Sequence, residues 1–362
     1  MPTLTIDQRI LEIEEEIRKT PYHKATEHHI GKLKARIAKL KEEKIERSFK
    51  AGGGGGYGVK KTGNASVVLV GPPSVGKSTL LNKLTKAQSR VAAYDFTTVN
   101  VIPGMLDYKG AKIQIFDIPG IISGAASGKG RGKEVLSVAR NSDLVIIMVD
   151  VKTIDRLPVI FNELHETGIR LDEERPRVSI GKQLSGGIKV NSSTSLSIGY
   201  DTIKSLASEF RLANAEITIK EDISIDRLID AFMGNRAYLP YLVVINKIDL
   251  GKPKNLFKYL LADTEPLFIS SQIGENLEVL KEKIWEKLNL IRIYLKRDES
   301  KDPDSPLIVH KDENLKEILE RLFITDKDRF LGAKVYGPGA KYPGQEVSLS
   351  FVPQDETIVQ FI

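Results

Sequence analysis

Residues 71 to 78 read GPPSVGKS and carry the G-x-x-x-x-G-K-S pattern of a phosphate-binding loop. The pattern follows the apolar run VVLV and precedes TLLNKL, so a predicted strand leads into it and a predicted helix leads out. Backbone N–H groups and the positive end of the helix can hold phosphates, while Lys77 adds a full charge and Ser78 offers a hydroxyl to Mg²⁺. We expect the following residues to bind the phosphates of a nucleotide: Gly71, Pro72, Pro73, Ser74, Val75, Gly76, Lys77, Ser78 and Thr79.

An acidic residue ends a later apolar run, where Asp117 closes IQIFD and opens a D-x-x-G pattern with Gly120. Asp117 can hold Mg²⁺, usually through water, and the Gly120 N–H can reach a γ phosphate. Between the two motifs, Thr97 and Thr98 are both candidates to close over Mg²⁺ and the γ phosphate and to release after hydrolysis. For hydrolysis of the γ phosphate of the nucleotide, we predict catalytic roles for Lys77, Thr98, Asp117 and Gly120. We also predict a metal site formed by Ser78, Thr98 and Asp117.

The tetrapeptide NKID, which ends the apolar run LVVIN, predicts recognition of guanine. The Asp249 carboxylate can accept two hydrogen bonds from the N1 and N2 donors of guanine, which adenine lacks, and such a site discriminates strongly. Asn246 can tie this segment to the phosphate loop, and the stem of Lys247 can cover the base plane. After the next strand, Ser270 and Ser271 can complete the base pocket through backbone contacts. The expected ligand is therefore GTP or GDP, bound with Mg²⁺.

Short apolar runs carry these motifs, namely VVLV, IQIFD, LVIIMVD, LVVIN and LFIS. Continuous apolar strands are typical of a parallel sheet that is covered on both faces, and helical stretches lie between these runs. The pattern predicts an α/β fold with a doubly wound, mainly parallel sheet. Asp150, at the end of the third run, is expected only to cap its strand.

Two segments do not belong to a minimal α/β domain. Between Gly168 and Leu239, about seventy residues predict a small inserted α+β subdomain, in which VSIGKQ and GGIKVN form a hairpin. The tail that follows Trp285 combines several strands with one helix, as in a ubiquitin-like roll.

Residues 5 to 48 predict two helices separated at Pro21, the first opened by a capping box of Thr5 with Gln8. The second helix carries an apolar stripe of Ile30, Leu33, Ile37 and Leu40. This stripe can pack within the protein or on a partner helix. Residues 1 to 61 hold 14 Lys or Arg against 9 Asp or Glu. Such a basic arm can bind RNA or a ribosome surface, and the alternative is a solvated helical face.

The composition is that of a globular protein, with 362 residues of which 41% are apolar and 28% charged, and a net charge of +6. There is no cysteine, which excludes disulfides and thiolate metal sites. The longest strongly apolar run, Leu144 to Val149, is too short to cross a bilayer, and the N-terminus lacks the apolar core of a signal peptide. We therefore expect a soluble cytoplasmic protein with no membrane partner.

The segments GPPSVGKSTLLNKLT, YDFTT, DIPGIISGAASGKGRG and NKID closely resemble the Obg-related GTPases. With the run AGGGGGYG before them and the tail after them, the whole chain resembles the developmentally regulated GTP-binding proteins, the DRG branch found in archaea and eukaryotes. The resemblance implies a slow, Mg²⁺-dependent GTPase that acts as a conformational switch in translation at the ribosome. It also implies a stabilising protein partner in eukaryotic members, and we expect no DNA partner. The alternative is an RNA- or ribosome-binding scaffold whose nucleotide is mainly structural.

The same resemblance implies an order of domains along the chain. We expect a helical arm over 1–50, a glycine-rich linker over 51–63, a GTPase domain over 64–289 with the insert at about 169–239, and a TGS domain, a β-grasp module, over 290–362. Two residues depart from better-known GTPases. Ile121 stands where Ras-like enzymes carry a water-orienting Gln, so the catalytic group must come from elsewhere. Potassium-activated relatives carry Asn where this chain has Ser74, so the resemblance leaves K⁺ open as a cofactor.

Overall fold

A computed structural model of the protein describes residues 5–50, 62–85, 102–117, 138–251, 259, 264–296, 305–322 and 330–362. Thr97, Thr98, Gly120, Ile121 and the glycine run lie outside these residues, so what we predict for them stays a prediction.

The helices are α1 (Ile6–Lys19), α2 (Lys24–Lys50), α3 (Lys77–Leu84), α4 (Leu157–Glu166), α5 (Tyr200–Glu209), α6 (Ile225–Met233), α7 (Leu277–Lys287) and α8 (Leu315–Leu322). The strands are β1 (Ala65–Val70), β2 (Ile102–Tyr108), β3 (Ala111–Asp117), β4 (Leu144–Asp150), β5 (Ile169–Leu171), β6 (Val178–Lys182), β7 (Ile188–Ser192), β8 (Ala215–Ile219), β9 (Ala237–Leu239), β10 (Tyr241–Asn246), β11 (Leu267–Phe268), β12 (Leu290–Leu295), β13 (Leu307–His310), β14 (Ala333–Tyr336), β15 (Gln345–Val347) and β16 (Thr357–Phe361). Within the described ranges, no helix is both long enough and apolar enough to span a membrane.

The chain divides into two compact units. The first holds Met1–Gly56, Ser123–Leu136 and Asn162–Tyr238, and the second holds Tyr57–Ile122, Ser137–Phe161 and Leu239–Ile362. The N-terminal arm and the insert therefore share the first unit, while the GTPase motifs and the C-terminal tail share the second. The finer boundaries, including those of a TGS domain, remain our proposal.

The second unit contains a six-stranded sheet in the order β11-β10-β4-β1-β3-β2. All neighbouring strands are parallel except β2 and β3, which are antiparallel. Every residue of β1, β4 and β10 is buried, as expected for parallel strands covered on both faces. The predicted mainly parallel α/β sheet is confirmed. Because β1, β3, β4 and β10 run in the same direction, their carboxyl ends meet at one edge, where ligands of such sheets bind.

The C-terminal tail forms a five-stranded sheet in the order β13-β12-β16-β14-β15. β12 and β16 are parallel, and the other neighbours are antiparallel. Leu315 and Ile318 of α8 share a core with Ile293, Val335 and Val359, which come from the three central strands. A mixed sheet with one helix on its face is the β-grasp arrangement that we predicted for this tail.

In the first unit, the insert contains a three-stranded sheet in the order β6-β8-β7. β8 pairs antiparallel with β6 and parallel with β7, so the predicted hairpin of β6 with β7 is wrong. Burial explains the difference. β8 buries Ala215, Ile217 and Ile219 on one face, whereas every residue of β6 and β7 is at least partly exposed. The most apolar strand therefore takes the centre of the sheet, where both of its neighbours cover it.

The N-terminal helices belong to the same packed unit as the insert. The predicted capping box is confirmed, because the Gln8 N–H donates to Thr5 Oγ1 and the Thr5 N–H donates to Gln8 Oε1. On α2, Ile30, Leu33 and Ala35 are buried, and α2 packs along α5 of the insert. Ile30 and Leu33 of the predicted stripe therefore pack within the protein, while Ile37 and Leu40 are half-buried.

Several basic side chains of this arm are paired inside the first unit. The ion pairs join Lys34 to Asp226 (2.7 Å), Arg36 to Glu209 (3.4 Å) and Lys41 to Glu166 (2.6 Å). The ammonium group of Lys39 lies 4.8 Å from the centre of the Phe210 ring. These contacts offset part of the positive charge on which we based RNA or ribosome binding by the arm, and that binding stays a prediction.

Candidate functional site

The phosphate loop joins β1 to α3 at the carboxyl edge of the large sheet, and its backbone is tightly packed. A Cβ atom on Gly71 would lie 2.0 Å from the carbonyl oxygen of Met148 on β4, and one on Gly76 would lie 2.4 Å from Asn246 Nδ2 on β10. Gly76 also has φ 98°, in the left-handed region that favours glycine, and Ser74 shares this region with φ 63°. The two glycines are therefore required by close packing.

The other residues of the loop differ in what they can offer a ligand. Val75 is buried in the core of the sheet, so only its backbone is available to a nucleotide. Pro72 is also buried, while Pro73 in the loop and Thr79 in α3 are exposed. Backbone N–H groups at the start of α3 are the donors that suit phosphate oxygens.

The amino group of Lys77 is held inside the loop. Lys77 is 6% exposed, and its Nζ donates to the carbonyl oxygens of Gly71 (3.0 Å) and Pro72 (2.9 Å). A lysine ammonium has three donors, so a third remains for a phosphate oxygen. Burial lowers the pKa of Lys77, and the nearby Asp117 carboxylate opposes this lowering. The arrangement places a positive charge where the phosphates of a nucleotide would lie.

Asp117 meets Ser78 beside this lysine. Ser78 Oγ donates a hydrogen bond to Asp117 Oδ2. Asp117 is 3% exposed, and its Oδ1 is buried with no hydrogen-bond partner among the described residues. A buried carboxylate oxygen without a partner is costly, and a cation bound there would satisfy it. A hydroxyl and one carboxylate fit Mg²⁺, which is bound in such sites by few protein oxygens together with substrate phosphates.

The amide of Asn246 links the carboxyl end of β10 to two other segments. Its Nδ2 donates to the carbonyl oxygen of Val75 (2.8 Å), which ties it to the phosphate loop as predicted. Its Oδ1 accepts hydrogen bonds from the N–H (2.9 Å) and the hydroxyl (3.0 Å) of Ser271. All three hydrogen bonds are buried. Asn246 therefore holds the phosphate loop and the segment of Ser271 in fixed positions relative to each other.

Lys247 is anchored by a carboxylate whose role we did not predict. Its Nζ donates to the carbonyl oxygen of Ser74 (2.6 Å) and to Asp150 Oδ2 (2.8 Å). Asp150 does cap the end of its strand, because Oδ1 accepts from the Lys152 N–H and from Thr153 Oγ1. Burial raises the pKa of Asp150, but its hydrogen bonds from Lys247, Thr153 and Lys152 outweigh burial and leave it lowered. The only sequence feature that pointed to a role for Asp150 in the site was its position at the end of an apolar run.

The base side of the site contains Asp249 with two serines. Ser270 Oγ donates to Asp249 Oδ1, and Asp249 itself is exposed at the sheet edge. We predicted that Ser270 and Ser271 complete the base pocket through backbone contacts. Their backbone N–H groups bond within the protein, since the Ser270 N–H donates to the carbonyl oxygen of Glu275 and the Ser271 N–H donates to Asn246 Oδ1. The serines therefore orient Asn246 and Asp249, and the carboxylate is the group left facing outward.

The structure thus brings the phosphate loop, Asp117 and the NKID segment to one edge of the sheet. Thr98 and Gly120 lie outside the described residues, so their predicted places in the site are not seen. Among the described residues there is no cluster of three or more His, Cys, Asp or Glu that could hold a metal ion by itself. A metal at Ser78 and Asp117 would therefore have to share its coordination with the phosphates of a nucleotide.

Comparisons with known proteins agree with this geometry. A family model described as a 50S ribosome-binding GTPase matches residues 66–181, and one described as the C-terminal region of that domain matches residues 185–290. A GTP-binding protein of Methanocaldococcus jannaschii is 50% identical over an alignment of 364 positions that covers 99% of this chain and 93% of the relative. Ribosome-interacting GTPase 1 of Saccharomyces cerevisiae is 41% identical, over 99% of both chains. Developmentally-regulated GTP-binding protein 2 of Homo sapiens is 39% identical, over 98% of both chains.

Proposed function

This chain belongs to the developmentally regulated GTP-binding proteins and is a P-loop GTPase, and from this premise we propose that it is a conformational switch whose GTP-bound and GDP-bound states differ in affinity for the ribosome. The name of the yeast relative, ribosome-interacting GTPase 1, supports a ribosomal partner. The proposed role is in translation. The position at which the protein binds the ribosome would show the step at which it acts.

The observation that carries the proposal is the meeting of the buried Lys77 and Asp117 with the exposed Ser78. The unpaired Oδ1 of Asp117 supports a Mg²⁺ site formed with Ser78, and Mg²⁺ there would neutralise charge on the phosphates. Lys77 would use its remaining donor to hold the phosphates. Thr98 and Gly120 are proposed to close the site around the γ phosphate. Together these residues would position GTP for attack by water, since catalysis of phosphoryl transfer is mostly positioning and charge stabilisation.

Guanine selection is proposed to rest on Asp249. Its carboxylate is exposed at the edge, where a base can reach it, and Ser270 holds one of its oxygens. Asn246 and Lys247 are proposed to act mainly as positioning residues, because their polar atoms bond to the phosphate loop. A base without both the N1 and N2 donors would leave the Asp249 carboxylate incompletely paired.

The β2–β3 hairpin offers a route from the nucleotide to the C-terminal sheet. β3 ends at Asp117 in the proposed metal site, and the turn of the hairpin lies at the opposite end of the strand. There, Tyr108 Oη donates to Glu282 of α7 (2.6 Å), and Lys109 Nζ donates to the same carboxylate (2.7 Å). The hydrogen bond to Glu282 raises the pKa of Tyr108 to about 12.

The same turn packs against the C-terminal tail. A Cβ atom on Gly110 would lie 2.9 Å from the ring of Pro306, and Ile308 of β13 shares the core of the large sheet. Lys109 Nζ lies 5.5 Å from the centre of the Trp285 ring. A shift of β3 on GTP hydrolysis would therefore also displace α7 and the C-terminal sheet, because packed elements move as units.

Ribosome cosedimentation tests the switch. We expect the full-length protein to bind ribosomes of its source organism at least tenfold more tightly with a non-hydrolysable GTP analogue than with GDP, about 1.4 kcal/mol. Equal affinity in the two states would contradict the switch and favour the alternative, a ribosome- or RNA-binding scaffold with a structural nucleotide. Binding in neither state would remove the ribosome as partner.

The route through the hairpin has a test of its own. Glu282→Gln weakens the contacts of the turn, and we expect unchanged GTP affinity with a smaller difference between the two states in ribosome affinity. Glu278→Gln on the same helix is the matched control, since Glu278 is 79% exposed in its ion pair with Lys281. If Glu282→Gln keeps the full difference, the signal does not pass through this turn.

A further inference from the structure

A cavity of about 230 Å³ lies in the first unit, where α2 packs against the insert. Its walls come from α2, from the end of α4 with β5, and from α6 with the segment that follows it. The residues that line it belong to the first unit, whereas the GTPase motifs belong to the second. Pockets for drug-sized ligands measure about 300–1,000 Å³, so this cavity suits a smaller molecule.

Two guanidinium groups share one carboxylate in the wall of this cavity. Asp230 accepts hydrogen bonds from Arg170 Nε (2.6 Å) and Nη2 (2.8 Å) and from Arg236 Nε (2.8 Å). The three side chains are at most 9% exposed. Two positive charges therefore face one negative charge, and a buried charge is costly unless it is paired.

Arg236 is the member of this trio that can still bind an anion. Its Nη1 makes two long contacts, 3.5 Å to Glu42 Oε2 and 3.3 Å to Asn235 Oδ1. Its Nη2 makes no hydrogen bond to any residue that the structure describes, whereas all three guanidinium nitrogens of Arg170 donate. The fork of an arginine suits a carboxylate, which can accept two parallel N–H bonds.

Two carboxylates that line the cavity are weakly paired. The side chain of Glu42 is 16% exposed, and its contact with Arg236 is longer than an ordinary N–H···O bond. Glu173 lies 3.8 Å from Arg227 Nη1, while Nη2 of the same arginine donates to Glu221 at 3.0 Å. Glu42 and Glu173 can therefore accept hydrogen bonds from a cationic group in the cavity.

The rest of the lining is apolar or already paired. Ile37 and Ala38 of α2 and Ile229 of α6 form an apolar wall. Lys34 and Lys41 also line the cavity, but both are held in the ion pairs described above. A ligand with only negative charge is therefore poorly matched, because it would lie beside the two weakly paired carboxylates.

We propose that this cavity binds an α-amino acid with an apolar side chain. The carboxylate of the ligand accepts hydrogen bonds from Arg236, its ammonium group donates to Glu42 and Glu173, and its hydrocarbon part packs on the apolar wall. A molecule that carries only one of the two charges leaves a polar group of the cavity unpaired, which makes such a site selective. The inference goes beyond the proposed switch and does not depend on it.

Isothermal titration calorimetry of the full-length protein with L-leucine tests this assignment. L-Leucinamide keeps the ammonium group without the carboxylate, and N-acetyl-L-leucine keeps the carboxylate without the ammonium group. We expect each analogue to bind at least tenfold more weakly than L-leucine. Inorganic phosphate should not displace L-leucine, because it offers nothing to the two carboxylates.

Two variants test whether binding occurs in the cavity. Ala38→Leu fills space without changing a charge, and Glu42→Gln removes one of the carboxylates. Each should weaken L-leucine binding at least tenfold and remove the rise in unfolding temperature that a bound ligand produces. Glu43→Gln is the matched control, because Glu43 pairs with Arg47 and does not line the cavity, and it should bind as the wild type does.

The proposal is overturned if none of L-valine, L-leucine and L-methionine binds. It is also overturned if the two analogues bind as tightly as L-leucine, or if Ala38→Leu and Glu42→Gln both keep the wild-type affinity. Displacement of L-leucine by phosphate would show a simple anion site and would equally contradict it.

Discussion

The pair of Lys247 with Asp150 leads to a prediction about a residue that no motif contains. Asp150→Asn removes the negative charge beside Lys247 Nζ but keeps the shape of the side chain. The Asp150 side chain is 8% exposed and that of Lys247 is 32% exposed, so the pair lies between a surface pair and a buried one. Surface pairs contribute up to about 1 kcal/mol, and removal of one partner from a buried pair costs about 3–5 kcal/mol. We expect a loss of about 1–2 kcal/mol, which is roughly five- to thirtyfold in nucleotide affinity.

Equilibrium titration with fluorescent GTP and GDP would measure this loss. Lys247 also holds the carbonyl oxygen of Ser74, so the pair should position the loop for both nucleotides, and both affinities should fall by the same factor. Asp155→Asn is the matched control, because Asp155 is 58% exposed and its ion pair with Arg156 is 4.0 Å long. Unchanged affinity for both nucleotides, or a loss for GTP alone, would refute the positioning role of Asp150.

The same pair has a defined pH dependence. The pKa of Asp150 is lowered in the folded protein, so its contribution is complete above the ordinary value of 3.8 and is lost as the pH falls through the lowered value. The difference in affinity between wild type and Asp150→Asn should therefore be constant from about pH 5 to 8, where Asp150 remains ionised. A difference that disappears within this range would show that another group titrates at the pair.

Three further predictions concern the site and the first unit. Lys77→Ala and Ser78→Ala should each abolish measurable GTP hydrolysis in a phosphate-release assay while the thermal unfolding transition is retained; wild-type turnover in either variant would remove that residue from the site. Asp249→Asn should weaken GTP binding at least tenfold and raise the relative affinity for xanthosine triphosphate, and an unchanged GTP titration would exclude Asp249 from the base pocket. Asp230→Asn should lower the free energy of unfolding of the first unit by about 3 kcal/mol or more, because Arg170 and Arg236 both donate to this buried carboxylate; a denaturant midpoint that does not move would contradict this reasoning.

Local patterns predicted the parts of the site that are formed by consecutive residues. The phosphate loop lies between a strand and a helix, as GPPSVGKS indicates, and Asn246 bonds to that loop as expected. These outcomes follow from short-range chemistry, since glycine spacing and a helix start allow few other backbone paths. The capping box at Thr5 is confirmed for the same reason.

Strand pairing in the insert could not be predicted from local patterns. VSIGKQ and GGIKVN are close in sequence and separated by a turn signal, which is why a hairpin was expected. β8 begins at Ala215, well after both of them, and takes the position between them because it buries the most apolar side chains. Pairing between distant segments depends on which strand gains most from burial, and that comparison needs the folded core.

The sequence by itself determined that this protein is a P-loop GTPase, because the types and order of residues in three short motifs predict binding of phosphate, Mg²⁺ and guanine before any fold is known. Only the tertiary structure decided which distant groups support that chemistry. Asp150 reaches Lys247 because β4 and β10 are neighbours in the sheet. It also decided that the basic arm packs on the insert, since its cations find acidic partners far away in the chain. Such contacts depend on register and burial across the whole chain, which no local pattern records.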